Sequence, residues 1–188
     1  MNVKQEKIAK ELLALAYEVK EITPYHKRLP ASIMTAQAIH ETGWLAYVPE
    51  DEVIQAVNTK KSFNILGIKA IPGKYEGTNG YVTCGTHKWV NDQPVFVPKA
   101  NFRAYYSYKE CFVDYIEVIH NSMINIKVLG VPLPIKTQRY KKALANRLDA
   151  YTYLTEVWKA GYATDRNYVN KVWNLAVQCK FVKEGDDK

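Results

Sequence analysis

Apolar positions over residues 3–22 fall at Val3, Ile8, Leu12, Leu15, Ala16, Val19 and Ile22, the three-to-four spacing of one helical face. Thr23-Pro24 closes that segment, because the residue before a proline is pushed out of the helical region. Residues 25–29 read as a connector. Pro30-Ala31-Ser32 opens a second helix that runs to about Thr42, and Gly43 supplies its stop. Residues 45–62 lose the period and carry the acidic run PEDE, which predicts a loop with at most a short helix. From Gly67 to Arg103 the pattern changes. Glycines and prolines punctuate β-prone runs at 81–84, 86–90 and 95–97, and Asn91-Asp92 suits a hairpin turn. Helix returns after Ser107, where Ser107-x-x-Glu110 has capping-box spacing ahead of Phe112, Tyr115, Ile116 and Ile119. A loop containing Pro132 and Pro134 comes next, followed by helical runs over 139–146 and 149–160 with Gly161 as a stop. A last helix is expected from Asn167 to about Phe181, capped by Thr164 or Asp165, with Val169, Val172, Trp173, Ala176 and Val177 facing inward. The tail KEGDDK reads as frayed, and no internal repeat is present.

The pattern is a helical chain with one β-rich insert, and 188 residues suit a single domain spanning 1–188, with a β lobe at about 67–103. Apolar residues make up 47% of the chain, enough for a core. The net charge of +7 favours an anionic partner such as a nucleic acid, an anionic lipid or an anionic wall polymer. Its basic residues are spread out, densest at Lys60-Lys61 and over 139–147, and no tract resembles a nucleic-acid-binding arm. Cys84, Cys111 and Cys179 are odd in number and have no C-x-x-C spacing, so neither a disulfide framework nor a zinc site is expected. Free thiols suit synthesis in a reducing cytosol. The opening MNVKQEKIAKELL lacks the apolar stretch of an export signal, and no run is long enough to span a membrane.

The stretch AQAIHETGW, residues 36–44, places a carboxylate at the end of an apolar helix. Ile33, Gln37 and Glu41 lie four apart and share one face. Partial desolvation there raises a carboxyl pKa and keeps a proton on it near neutral pH, as a general acid needs. A solvated surface charge fits the same local pattern, and pattern alone leaves both readings open. A metal site with His40 would need a second histidine four residues on, where Trp44 stands. His26, His87 and His120 have no ligand spacing, and no glycine-rich phosphate loop occurs. No metal and no cofactor are expected.

Four segments in order carry a family resemblance. AQAIHETGW resembles the AQAxxESGW helix of the peptidoglycan glucosaminidases of glycoside hydrolase family 73. Residues 63–69, FNILGIK, resemble their NLFGIK segment; residues 101–107, NFRAYYS, resemble FRxYxS; and residues 161–168, GYATDRNY, resemble GYATDPxY. The resemblance implies an α+β, lysozyme-like fold: a mainly helical body, an inserted antiparallel β lobe and a cleft between them. It also implies cleavage of the β-1,4 bond after N-acetylglucosamine in bacterial peptidoglycan, with Glu41 as general acid and Tyr162 steadying the reacting sugar. Asn64, Tyr168 and Gln37 would line the substrate cleft, and Trp89 would offer a stacking face. Many members carry a second Glu in the β lobe, where the corresponding stretch here is Thr86-His87-Lys88-Trp89 and Lys88 takes the acid's place. Glu76 or Asp92 could substitute from a neighbouring strand or turn. Failing that, the substrate's own acetamido group would act as nucleophile. A phage or prophage lysin, monomeric and reaching the wall by holin-type release or aboard a virion, fits this reading. A lytic transglycosylase or muramidase, or a non-catalytic wall-binding module, remain the competing expectations.

Overall fold

The computed structural model describes residues 1–49, 61–90, 93–128 and 131–182. Helix α1, Val3–Ile22, starts at Asn2, whose side chain accepts from the Gln5 amide while Gln5 accepts from the Asn2 amide, both at 2.9 Å. Its inward stripe is Ile8, Ala9, Leu12, Ala16 and Val19; the periodic set's ends, Val3 and Ile22, stand in solvent. A 3-10 turn, Tyr25–Lys27, leads to α2, Ala31–Thr42.

Helix α2 is the centre of the body. Residues 31–39 and Thr42 are all buried, and only His40 and Glu41 escape. A helix buried on nearly every face has to be sheathed on all sides. Here α1 packs on it, together with α5 (Ala150–Lys159) and α6 (Tyr168–Gln178). Gly43 ends it in the left-handed conformation (φ +53°), and the Trp44 amide reaches back to the Ile39 carbonyl at 3.1 Å. Trp44 and Leu45 continue the left-handed turn, both at φ +64°, a conformation costing about 1–2 kcal/mol per non-glycine residue. Both pack against the core, which holds them there.

The β lobe is a hairpin of β1 (Tyr81–Val90) and β2 (Gln93–Arg103), antiparallel, with its turn outside the described residues. The β-prone runs 81–84 and 86–90 form one strand bent by a register shift between Cys84 and Thr86. Val82, Cys84, Phe102 and Ala104 make a small core of their own. Residues 68–70 run along β2's other edge: Arg103 N donates to Ile68 O and Ala70 N donates to Asn101 O. A turn at 77–80 closes the end of the lobe through Asn79 N to Ala104 O and Ala104 N to Gly80 O. A Cβ on Gly77 would sit 1.9 Å from the Ala104 carbonyl oxygen. Gly77→Ala is therefore expected to cost about 2–3 kcal/mol, read as an earlier midpoint in denaturant unfolding.

Helix α3, Tyr108–His120, starts at Ser107, whose hydroxyl accepts from Glu110 N. The capping box is only half formed, because the Glu110 carboxylate turns to Tyr106 N and the Thr78 hydroxyl instead. The expected proline loop is a second hairpin, β3 (Met123–Val128) with β4 (Val131–Lys136). In a two-stranded ribbon only alternate amides are bonded, and Pro132 and Pro134 share one parity, so both missing amides fall on the free edge. Ser122 and Thr137 clamp its base, with hydroxyls 2.8 Å apart. Short α4, Lys141–Ala145, leads to α5, capped by Asp149. Thr164 and Asp165 do not cap α6: its first residue follows Asn167, and the Asp165 carboxylate instead accepts from Asn167 N at 2.8 Å, outside the helix. Val169, Val172, Trp173 and Ala176 face the core as expected; Val177 is half-buried.

Candidate active site

Two cavities of about 640 Å³ each meet at Glu41 and Gly67, forming a cleft between the helical body and the β lobe. One flank is walled by residues 66–69, Tyr75, Arg103, Asp114, Glu117, Tyr140 and Tyr162. The other is walled by the turn after α2 and, from the lobe, by residues 84–87 and Phe102. Glu41 sits at the waist because it is the last outward residue of a helix otherwise buried along its length.

Glu41 is exposed by surface area, because water reaches it through the cleft, yet protein crowds it on its other sides. That crowding strips away enough solvent to push its carboxyl from 4.5 up to about 7, against the opposing pull of the Tyr168 hydroxyl and the Lys69 ammonium.

Each neighbour has a local cause. Lys69 is held over the Phe102 ring, 3.4 Å from its centroid, and burial lowers its pKa while Cys84 and Glu41 raise it. Gly67 adopts φ +61°, which turns the chain past Glu41; a Cβ there would lie 3.7 Å from Glu41 Oε2. Tyr162 lines the cleft and donates to Leu66 O at 2.9 Å. Its ring meets Tyr115 edge-on and Tyr168 at a tilt. The segment 161–168 is pinned by Asp165, whose carbonyl accepts from Trp158 Nε1 and whose carboxylate pairs with Lys171 at 2.6 Å. Arg139 donates to the carbonyls of Ala160 and Gly161, a cation on the end of α5.

Three of the expected substrate contacts are buried; Asn64 borders the second cavity from beneath its surface, and Gln37 and Tyr168 line neither cavity. Gln37 has no accessible surface; its amide lies between the hydroxyls of Tyr115 and Tyr168. Tyr168 is 2% exposed, and its hydroxyl donates to Glu41 Oε1 at 3.0 Å. Asn64 is fully buried. Its Nδ2 donates to the carbonyls of Ile68 and Arg103, and its Oδ1 accepts from the amides of Ile68 and Leu66. These three shape the site from behind, because each has its polar atoms committed to protein partners.

The expected second carboxylate is not found on the described lobe wall. Glu76 is exposed, accepts from Gly73 N at 2.6 Å and lines neither cavity. Asp92 lies outside the described residues. Trp89 is in β1 opposite Pro94, and its side chain, like that of Lys88, lies outside the described residues. Two carboxylates missed in the sequence, Asp114 and Glu117, line the other flank. Both are paired: Asp114 with the Arg103 guanidinium and the Tyr105 hydroxyl, Glu117 with Lys27 and Asn121. Their signal was helical spacing, Asp114 four residues after Glu110 and Glu117 three after Asp114, too weak to single them out.

Fold and cleft together define an α+β, lysozyme-like protein. The glucosaminidase family profile, described as mannosyl-glycoprotein endo-beta-N-acetylglucosaminidase, matches residues 22–180, and the chain belongs to that family. It is 28% identical over 166 residues to the peptidoglycan hydrolase FlgJ of Vibrio cholerae, covering 85% of this chain and 42% of that protein. The chain thus spans less than half the length of that relative. The C-terminally truncated glycoside hydrolase domain of Salmonella typhimurium FlgJ superposes with a TM-score of 0.63 at 26% identity, covering 95% of this chain and 99% of that one. A peptidoglycan hydrolase mutant from Sphingomonas sp. A1 shares the fold, with a TM-score of 0.67 at 24% identity over 91% of this chain and 92% of that one.

Proposed function

We propose that the chain hydrolyses the β-1,4 bond after N-acetylglucosamine in bacterial peptidoglycan, with Glu41 as general acid. The observation that carries this is a carboxyl held near pKa 7 at the waist of a cleft with room for sugar on both sides. Glu41 Oε2 gives its proton to the glycosidic oxygen as the C1–O bond breaks. Lys88 stands in the sequence where a second lobe acid is expected, and in this scheme the carbonyl oxygen of the sugar's own 2-acetamido group attacks C1. Water then opens the resulting oxazolinium ring, giving its proton back to Glu41 and restoring the acid. Tyr162, beside Glu41 on the cleft wall, steadies the reacting sugar in this scheme. The +7 charge assists approach to an anionic wall. Delivery by holin-type release or aboard a virion remains the expectation from the sequence; among the described residues no helix is long and apolar enough to cross a membrane.

Digestion of purified peptidoglycan followed by mass spectrometry tests the reading. The expected products end in reducing N-acetylglucosamine. Products ending in 1,6-anhydro-muramic acid would assign transglycosylation instead, reducing muramic ends would assign a muramidase, and binding without new ends would leave a wall-binding module.

A further inference from the structure

Behind Glu41 runs a chain of buried polar groups that the proposed reaction does not touch. The Tyr153 and Tyr115 hydroxyls lie 3.4 Å apart. Tyr115 donates to Gln37 Oε1 at 2.8 Å, and Gln37 Nε2 donates to the Tyr168 oxygen at 3.1 Å. Tyr168 donates to Glu41 Oε1 at 3.0 Å. All four residues behind Glu41 are buried, and α2, α3, α5 and α6 each contribute one.

We propose that Gln37 and Tyr115 are positioning residues that, through Tyr168, dictate which Glu41 oxygen accepts a hydrogen bond and which carries the transferable proton. A phenol has one proton to give, and a primary amide has distinct donor and acceptor ends. With Tyr115 spending its proton on Gln37 Oε1, the amide presents its NH₂ group to Tyr168. The Tyr168 oxygen is then an acceptor on that side, and its own proton turns to Glu41. The reversed chain would face the Tyr168 lone pairs towards an ionised Oε1, and it would rest Tyr115 on the long contact to Tyr153. Oε1 is thereby occupied as an acceptor, and the proton resides on Oε2. That oxygen borders Gly67, where no side chain intervenes. Burial holds the phenols of Tyr115 and Tyr168 well above their ordinary values, so both keep the protons the chain requires. The other titratable groups around Glu41 are Lys69 on the loop side and Tyr162; His40, on the same helix, packs its ring edge on Tyr168 beside the Asp165–Lys171 pair.

The proposal rests on Glu41 being the acid, and its test separates the two. Gln37→Glu and Tyr115→Phe are prepared, with Gln37→Met as a neutral third variant. Glu41 is titrated by carboxyl 13C NMR, its signal assigned by its loss in Glu41→Gln, and kcat and KM on purified peptidoglycan are followed against pH. A carboxylate at 37 draws the Tyr168 proton away, so Glu41 titrates about one unit higher. The basic limb of kcat moves with it, and the kcat plateau falls about tenfold while KM holds within about twofold. Tyr115→Phe frees the amide to turn and shifts both readouts the same way by less; Gln37→Met, with no amide to orient Tyr168, does likewise. Lower melting temperatures with an unmoved Glu41 titration in all three would give these residues a structural role only and overturn the proposal. Should the wild type release no reducing ends, the catalytic reading fails while the NMR titration still decides the orientation of Glu41.

Discussion

Glu41→Gln is expected to lower kcat on peptidoglycan about 10³-fold with little change in wall binding, within the usual worth of a general acid. The amide keeps the side chain's shape and still offers Oε1 to Tyr168, but it has no acidic proton to transfer. Equal clearing of cell walls by wild type and variant would remove Glu41 from the mechanism. In the wild type, activity should fall as pH rises through about 7, where Glu41 gives up its proton. The same shift makes a stability prediction. The folded value is raised from 4.5 to about 7, so the fold prefers the protonated acid. That contribution is fully present below about 4.5 and is lost as pH climbs through about 7. Glutamine cannot ionise and loses nothing. The melting-temperature advantage of Glu41→Gln should therefore open between those two values and level off above them, as scanning calorimetry can follow.

Asn64→Ala is expected to cost about 4 kcal/mol, because the Ile68 and Leu66 amides and the Arg103 carbonyl lose the Asn64 side chain as partner at once, while the Ile68 carbonyl keeps only Arg103 N. Those groups fix the loop that carries Gly67 and Lys69 past Glu41 and tie it to the end of β2, so the lobe loosens with the site. Asn64→Asp is the sharper comparison. It is nearly isosteric but turns an oxygen towards two carbonyl oxygens, where the amide had donated. The aspartate must be protonated to fit, so its destabilisation should grow with pH. Wild-type unfolding midpoints for both variants would show that Asn64 is not the tie between loop and lobe.

Sequence periodicity located most of the body. The limits of α1 and α2 follow from the apolar stripe, Pro24 and Gly43, which are local signals that tertiary packing did not override. The β1–β2 hairpin was legible from its punctuation. The second hairpin was not, because Pro132 and Pro134 read as loop when strand parity is unknown; only the pairing shows their amides to be unneeded. Asp165 has the composition of a helix cap, but its carboxylate serves the turn that presents Tyr162 and Tyr168.

The site was half legible for a related reason. Glu41 stands out because it ends an apolar helix, and its segment carries a family pattern. The direction in which Gln37, Asn64 and Tyr168 act is invisible in a linear chain. Gln37 meets Tyr168 across 131 residues and Tyr115 across 78, and nothing local distinguishes an amide facing substrate from one facing two phenols. The Asp114–Arg103 pair likewise joins a helix to a strand, so neither residue's spacing announces it.

The cleft has room on both sides of Glu41, so a strand can lie across it without presenting a free end. On the proposed activity, cuts fall in the interior of strands, and each early cut shortens the polymer far more than it liberates sugar. A stretched wall carries its load along unbroken strands. Such scission would forfeit tensile strength while nearly all of the wall's mass was still in place, and rupture under turgor would come before dissolution.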